Sequence, residues 1–264
     1  MEIELLNFEK EKLSNNLNSN NSNILAIMVH GFMGSKDFDF FVELENYFDS
    51  IEIDSFRFDF SGNGKSQGLF SESTISKQKK ELNNVLNYFK KKYEKILIIA
   101  HSMGCSVSLK CSESNNFNGL IMVNPLVLPS IIFKDSILKF SPYVFLEKLN
   151  DVKIKKEFTN FSLIQNIDES LKNKIKKNVV SKKFIKELPK INLINYAEKL
   201  KIPVLIIHGK KDIVIPFSHV EYLYYNINSF KKMALFDYSH NPEKKNYELI
   251  KFEIFKYIKE KFLK

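Results

Sequence analysis

The chain has 264 residues, of which 44% are hydrophobic and 27% charged, enough for one large domain with a sizeable core. Its 40 basic and 31 acidic residues give a net charge of +9. No apolar run approaches the roughly 20 residues of a membrane-spanning helix, which excludes a membrane-spanning protein. Two cysteines cannot form a disulfide scaffold, which excludes a small disulfide-stabilised secreted protein.

Two further details of the sequence bear on the partners and the location of the protein. Only Arg57 among the basic residues is an arginine, the side chain that favours bidentate contacts to guanine and phosphate, so we expect no nucleic-acid partner. Residues 1–4 are acidic and lack the apolar segment of a signal peptide, so we expect a cytoplasmic protein.

The first half of the chain predicts strands separated by polar segments. Residues 2–13 are predicted to be extended, and residues 14–23 form a polar, turn-rich loop. Uninterrupted apolar runs, typical of strands buried on both faces of a parallel sheet, then occur at four places along the chain. They are residues 24–29, 96–100, 120–123 and 204–207. Further strands are predicted at residues 51–60 and 233–237.

Segments of helical periodicity lie between these strands. Residues 40–48 and 82–89 each place apolar side chains on one helical face, and a last helix is predicted at residues 247–262. Strands that alternate with helices predict an α/β fold with a mostly parallel sheet flanked by helices. Functional residues of such sheets lie at the C-terminal ends of the strands.

One segment breaks this alternation. Residues 126–197 contain short helix-like pieces and no buried-strand run, which predicts an inserted helical cap on a core formed by residues 1–125 and 198–264. Within it, residues 134–195 carry 14 lysines against 7 acidic residues, a net charge of +7. This basic block could give weak contact with a membrane surface or an anionic substrate, or be a set of solvated lysines. The oligomeric state stays open.

A glycine-containing loop follows the predicted strand at residues 51–60, where phosphate-binding loops occur. A P-loop would need a glycine at the position of Asp59, and a dinucleotide fingerprint would need one at Gln67. We therefore expect no nucleotide cofactor at this loop.

Ser102 carries the strongest chemical signal. It lies in the sequence Ala-His-Ser-Met-Gly, between a predicted buried strand and a segment compatible with a helix. Small residues at Ala100 and Gly104 permit the sharp strand-to-helix turn that lifts a nucleophilic serine above a sheet. The alternative is a serine that only caps the helix.

A nucleophilic serine needs a base, and the base needs an orienting acid. Asp212 and His240 each follow a predicted strand and stand in the chain order serine, acid, base. Asp237 is a rival acid, at the end of its own strand. The remaining histidines are expected to have structural or surface positions, and they are His30, His101, His208 and His219.

The same reaction needs two backbone N–H donors that face the developing oxyanion. The turn itself offers the N–H of Met103. The loop after the first buried strand offers the N–H of Phe32.

With these residues in place, the chain resembles the α/β-hydrolase superfamily. It is most similar to small serine esterases of the cinnamoyl/feruloyl-esterase and monoacylglycerol-lipase kind. The matching segments follow the family's order and are residues 30–32, 57–66, 101–104, 209–216 and 239–240. The chain departs from the usual pattern at Ala100, where a glycine is common, and at Asn63, where a histidine is common.

The resemblance implies roles for the five residues. Ser102 is the expected nucleophile, His240 the base and Asp212 its partner, while Phe32 and Met103 supply the oxyanion donors. The implied reaction is hydrolysis of a small carboxylic ester with a short or aromatic acyl group, through an acyl-enzyme. It requires no metal and no organic cofactor.

Other activities remain open at this point. A monoacylglycerol or lysophospholipid lipase, or a thioesterase, would use the same chemistry. A peptidase is less expected, because the cap has no clear acidic cluster to hold a substrate amine. A different class is a non-catalytic hydrolase-fold protein that binds lipid or a partner through its basic cap.

The entrance to the predicted cap is strongly apolar and is a candidate acyl or aryl pocket, although ordinary packing of cap against core would give the same pattern. Its residues are Leu126, Val127, Leu128, Ile131, Ile132 and Phe133.

Overall fold

The computed structural model describes residues 1–114, 116–129, 145–146, 179–180 and 182–263. The strands of the described chain are β1 (Asn15–Asn18), β2 (Ile24–Val29), β3 (Asp54–Phe58), β4 (Lys95–His101), β5 (Gly119–Val123), β6 (Phe145–Leu146), β7 (Val179–Val180), β8 (Val204–Gly209) and β9 (Lys231–Phe236). Seven form one sheet in the order β1-β3-β2-β4-β5-β8-β9, and β6 pairs with β7. Only β1 runs antiparallel to its neighbour.

Helices cover both faces of this sheet. Their bounds are α1 (Asp39–Ser50), α2 (Ile75–Phe89), α3 (Met103–Cys111), α4 (Lys182–Glu187), α5 (Ile194–Glu198), α6 (Phe217–Asn226) and α7 (Tyr247–Phe262). Helices α1 and α7 pack on one face, where Leu44 and Ile254 join one core cluster. Helices α2 and α3 pack on the other, through Leu86 and Val107. No helix in the described ranges is long and apolar enough to cross a bilayer.

The uninterrupted apolar runs form the strands predicted from them. Every residue of β2, β5 and β8 is buried, because each of these strands has a neighbour on either side and a helical layer on either face. The last helix occupies the predicted residues 247–262. These elements confirm the α/β class and place the C-terminal ends of the parallel strands at one edge.

The prediction of a loop at residues 14–23 is wrong in part, because strand β1 lies there. Asn15 anchors this strand: its amide nitrogen donates to the carbonyls of Ile3 and Leu13 at 2.9 and 2.8 Å. Its amide oxygen accepts the Ile3 N–H at 2.9 Å. Asparagines usually favour turns because their side chains bond nearby backbone groups. Here those bonds join the strand to the residues that precede it, and the pairing of β1 with β3 attaches it to the sheet.

The strand predicted at residues 51–60 is shorter in the structure, where β3 covers Asp54–Phe58. Ile51 belongs to the turn that ends α1, and its N–H donates to the carbonyl of Phe48 at 3.2 Å. The apolar side chain of Ile53 is nevertheless buried in the core. Apolar alternation therefore located the strand but not its first residues.

Most of the predicted cap lies outside the described residues, so the division into core and cap stays a prediction. Its C-terminal end is described, and there α4 buries Phe184 in the core. Glu187 at the end of α4 accepts a hydrogen bond from Ser76 and lies 3.6 Å from Lys110. This end of the segment is thus docked on α2 and α3.

Candidate active site

Ser102 lies in the sharp turn between β4 and α3. Its backbone angles are φ 53° and ψ −119°, a combination that a residue with a side chain rarely adopts. The turn is held by its own backbone: Ser102 N–H donates to Val123 O at 3.0 Å, and Ser102 O accepts from Cys105 N–H at 3.0 Å. This is the geometry expected of a nucleophilic serine raised above a sheet.

Two glycines let neighbouring backbone approach this turn. A Cβ on Gly104 would overlap the carbonyl of Val29 and lie 2.6 Å from that of His30. A Cβ on Gly31 would lie 3.0 Å from Ser102 Cβ. The loop after β2 therefore lies directly against the serine because both positions lack a side chain.

Three side chains from distant parts of the chain meet above the sheet. His240 Nε2 lies 3.0 Å from Ser102 Oγ, and His240 Nδ1 lies 2.9 Å from Asp212 Oδ2. The tautomer that fits both contacts carries its proton on Nδ1, which donates to the carboxylate. Nε2 is then left with a lone pair that accepts the serine hydroxyl.

Asp212 is held as an ionised carboxylate. Its second oxygen accepts the N–H groups of Val214 and Ile215, each at 2.9 Å. Burial raises the pKa of Asp212, but the hydrogen bond and charge interaction with His240 and the Ile215 N–H outweigh it, and the pKa lies below its usual value. The rival acid Asp237 is exposed and pairs with Lys211 at 2.9 Å.

Two of the other histidines contact backbone groups around the site. His30 Nδ1 donates to the carbonyl of Gly31 at 2.8 Å, and His30 Nε2 accepts the Phe60 N–H at 3.1 Å. His101 Nε2 lies 3.1 Å from the backbone oxygen of His240. Burial lowers the pKa of His101 to about 3, so its ring is neutral.

The remaining histidines do not join the serine. His208 is fully buried at the end of β8, and burial lowers its pKa. His219 is half-buried on α6, and burial lowers its pKa as well. The surface position expected for His219 is therefore only partly correct.

The two residues predicted as oxyanion donors flank the serine. Met103 directly follows Ser102 and is the first residue of α3. Phe32 directly follows Gly31, whose backbone lies close to Ser102. The Phe32 ring packs against Phe70 at 5.4 Å and stacks with Phe184 at 5.8 Å between ring centroids. An aromatic cluster thus joins the loop of Phe32 to the end of the predicted cap.

The predicted apolar pocket is only partly described. Leu126 and Val127 are fully buried in the core, and Leu128 is half-buried. The Leu126 N–H donates to Ser102 O at 3.2 Å, so this segment adjoins the turn at Ser102. The other three pocket residues lie outside the described residues, and they are Ile131, Ile132 and Phe133.

The glycine-containing loop after β3 encloses a carboxylate of the chain itself. A Cβ on Gly64 would overlap the side chain of Asp59. Asp59 is fully buried and accepts the N–H groups of Lys36 and Lys65 at 2.5 and 2.9 Å. Asp59 occupies the space that an anionic ligand would need.

One group of three carboxylates in the described ranges lies close enough to share a metal ion, namely Glu9, Glu11 and Glu72. Lys77 Nζ already lies 2.6 Å from Glu9 and 2.9 Å from Glu11. The lysine supplies the positive charge that these two carboxylates need, so the cluster serves as an ion-pair network.

The fold and the arrangement around Ser102 are those of an α/β hydrolase. A family model described as serine aminopeptidase, S33, matches residues 21–240. The chain belongs to this hydrolase family. Comparison with curated protein sequences yields no significant match.

Solved structures share the whole fold. Est1E from Butyrivibrio proteoclasticus, with ferulic acid bound, is 20% identical with a TM-score of 0.79 over 99% of this chain and 100% of that one. The Pyrococcus furiosus esterase Pf2001 is 18% identical with a TM-score of 0.71, covering 99% and 90%. Mouse alpha/beta hydrolase domain-containing protein 10 is 20% identical with a TM-score of 0.72, covering 98% and 99%. At such identities the likeness concerns the fold.

Proposed function

We propose that this hydrolase is a serine esterase that cleaves carboxylic esters with short or aromatic acyl groups. One observation carries the proposal: the unbroken hydrogen-bonded chain from Ser102 through His240 to Asp212 on a strained turn. A serine hydroxyl is a weak nucleophile, and this arrangement is the one that activates it.

The reaction proceeds through two acyl transfers. His240 Nε2 takes the Ser102 proton while Oγ attacks the ester carbonyl carbon, and the carbonyl oxygen becomes an oxyanion. The N–H groups of Phe32 and Met103 stabilise that oxyanion, and loss of one such donor typically lowers the rate about 100- to 1,000-fold. His240 then protonates the leaving alcohol. Water, deprotonated by His240, then attacks the acyl-enzyme carbonyl. His240 returns that proton to Ser102 Oγ as the acyl–oxygen bond breaks, which releases the carboxylic acid and free Ser102.

Asp212 acts on the base and not on the substrate. Its carboxylate accepts a hydrogen bond from the Nδ1–H of His240, which fixes the tautomer that presents Nε2 to the serine. It also stabilises the imidazolium that forms when His240 holds the serine proton. The two backbone donors on its other oxygen keep it in this position.

The aromatic surroundings favour aromatic or other apolar acyl groups. Phe32, Phe70 and Phe184 form a contiguous cluster beside the proposed oxyanion loop. We propose that residues 126–197 form the cap over this cluster and that its apolar entrance, including the half-buried Leu128, lines the acyl pocket. The ferulic acid bound in the Est1E structure gives an aromatic acid as the first candidate acyl group to test.

Active-site labelling with substrate profiling tests the proposal. Wild type, Ser102→Ala and the exposed control Ser114→Ala are incubated with a fluorophosphonate probe. The same proteins are assayed on p-nitrophenyl esters of rising chain length, on methyl ferulate, on an acyl thioester and on aminoacyl p-nitroanilides. The last substrates address the peptidase activity that the family's description names.

We expect labelling and ester hydrolysis by wild type and Ser114→Ala, and neither by Ser102→Ala. A preference for long-chain esters or thioesters would replace the esterase proposal by a lipase or a thioesterase. Faster cleavage of the anilides than of the esters would make the protein a peptidase. A wild type that neither labels nor hydrolyses would favour the non-catalytic binding protein.

A further inference from the structure

Asn124 occupies a position that links the three loops of the proposed site. It follows the last residue of β5, is fully buried and adopts a left-handed φ of 48°. Its own N–H donates to Ile207 O of β8 at 2.8 Å. Asparagine tolerates this backbone conformation better than most residues with a side chain.

The Asn124 side chain uses its full hydrogen-bonding capacity. Its amide nitrogen donates to the backbone oxygen of Ser239 at 3.1 Å and to that of His240. Its amide oxygen accepts the Gly209 N–H and the Tyr238 hydroxyl, each at 3.0 Å. A carboxamide has two donor hydrogens and two acceptor lone pairs, and all four have a partner here.

These four partners belong to separate parts of the site. Gly209 is the last residue of β8 and directly precedes the loop that carries Asp212, while Ser239 and His240 belong to the loop of the base. On its N-terminal side, Asn124 adjoins Val123, whose carbonyl accepts the Ser102 N–H at 3.0 Å. One buried amide therefore connects the acid loop and the base loop to the strand end that holds the nucleophile turn.

We propose that Asn124 is a positioning residue that sets the His240 imidazole at hydrogen-bonding distance from Ser102 and Asp212. This inference rests on the proposed function, since it concerns the geometry of the proposed base. Asn124 acts on the backbone of His240, whose carbonyl also faces His101 Nε2 at 3.1 Å. Displacement of a reacting group by about 1 Å can lower a rate about 100-fold, so loss of this anchor reduces turnover strongly.

Substitution by aspartate separates this role from simple packing. Asn124→Asp keeps the shape of the side chain and its acceptor oxygens but removes both donors, and it turns a carboxylate oxygen toward the carbonyls of Ser239 and His240. Asn124→Gly suits the left-handed φ and removes all four side-chain bonds. Tyr238→Phe is the matched control, because it removes one partner of Asn124 and leaves both bonds to the base loop.

The experiment measures kcat and KM on p-nitrophenyl acetate, the rate of fluorophosphonate labelling and the proton NMR signal of the His240 Nδ1–H. We expect both Asn124 variants to lower kcat and the labelling rate about 100-fold, with KM changed less than about threefold. The strongly downfield Nδ1–H signal should be lost or shifted in both. Tyr238→Phe should keep the signal and stay within about fivefold of the wild-type rate.

The outcomes separate this inference from the proposed function. If wild type labels and Asn124→Asp or Asn124→Gly labels at the same rate with the Nδ1–H signal unchanged, the positioning role is overturned while the esterase proposal stands. If wild type fails to label, the proposed function fails, and the NMR signal alone decides whether Asn124 holds the imidazole. If both variants fail to fold, Asn124 serves stability and the positioning role is rejected.

Discussion

His240 Nε2 lies 3.0 Å from Ser102 Oγ, although the two residues are 138 positions apart in the chain. The contact follows from the sheet, since β4, β5, β8 and β9 are consecutive neighbours that run in the same direction. Their C-terminal ends therefore meet at one edge. The loops after β4, β8 and β9 bring serine, aspartate and histidine to that edge.

The strained turn predicts a gain in stability when Ser102 is replaced by glycine. Ser102 has φ 53° and ψ −119°, and such a conformation costs on the order of 1–3 kcal/mol for a residue with a side chain. Glycine relieves this strain but adds about 0.4–1 kcal/mol of unfolded-state entropy. We expect Ser102→Gly to raise Tm by about 2–4 °C, measured by circular dichroism.

Ser102→Ala is the control for this prediction, because it also removes the hydroxyl but keeps the strained backbone. Both variants should lose fluorophosphonate labelling, and only the glycine variant should gain stability. Equal melting temperatures for the two variants would mean that the turn stores no strain that glycine can relieve.

Gly104 is predicted to resist even the smallest enlargement. In a helix such as α3, alanine is more favourable than glycine by about 1 kcal/mol, so Gly104→Ala would ordinarily stabilise the protein. Here the new Cβ would overlap the carbonyl of Val29 and approach that of His30. We expect a net loss of about 1–3 kcal/mol in the free energy of unfolding by urea titration, with reduced esterase activity. An increase in stability would show that β2 and α3 can separate without cost.

The features that the sequence predicted are those with a local signal. Uninterrupted apolar runs located β2, β4, β5 and β8, because only buried central strands tolerate such runs. The small residues around Ser102 predicted the turn, and the order of Asp212 and His240 predicted which side chains would meet. The structure brings these three together, and it pairs the rival acid Asp237 with Lys211 instead.

The features that the sequence did not predict depend on distant partners. Strand β1 consists of Asn-Asn-Leu-Asn, which locally favours a turn, and only its pairing with β3 makes it a strand. Asn124 has no motif around it, since the groups that its side chain bonds lie 85 to 116 positions away. The available signal for Asn124 was its position: a polar residue directly after a buried strand, at the sheet edge where the site lies.

The single arginine is predicted to be a strong stabilising element. Arg57 donates to Glu45 at 2.7 Å, to Asp37 at 3.2 Å and to the carbonyl of Lys36 at 2.6 Å. Arg57 and Glu45 are both buried, so removal of one partner leaves the other charge uncompensated. We expect Arg57→Met to lower the free energy of unfolding by about 3–5 kcal/mol in urea titration.

A double variant checks the cause of that loss. Arg57→Met combined with Glu45→Leu removes both buried charges and should recover at least half of the stability lost by the single change. Arg57→Lys keeps the charge but lacks the planar fork that reaches two carboxylates, so it should recover less. If the double variant is no more stable than Arg57→Met, lost packing rather than an unpaired Glu45 explains the effect.

The buried histidines predict that acid destabilises the fold before the carboxylates protonate. Burial lowers the pKa of His30 and His208, and it lowers that of His101 to about 3. A histidine with a lowered folded pKa binds more protons in the unfolded state, so stability falls as pH drops below the unfolded value near 6.5. At pH 5.5 His101 alone should cost about 1.4 kcal/mol relative to pH 7.5. Urea titrations at the two pH values measure this loss.

His101→Asn tests which ring is responsible, since an amide nitrogen can still donate to the carbonyl of His240 and does not titrate. The variant should lose about 1.4 kcal/mol less than wild type between pH 7.5 and 5.5, whatever its stability at neutral pH. The lowered pKa of Asp212 acts in the same direction but at lower pH, because its stabilising charge is lost only as pH falls below the carboxylate range. An identical pH dependence in His101→Asn and wild type would mean that this ring is protonated in the folded protein at pH 5.5.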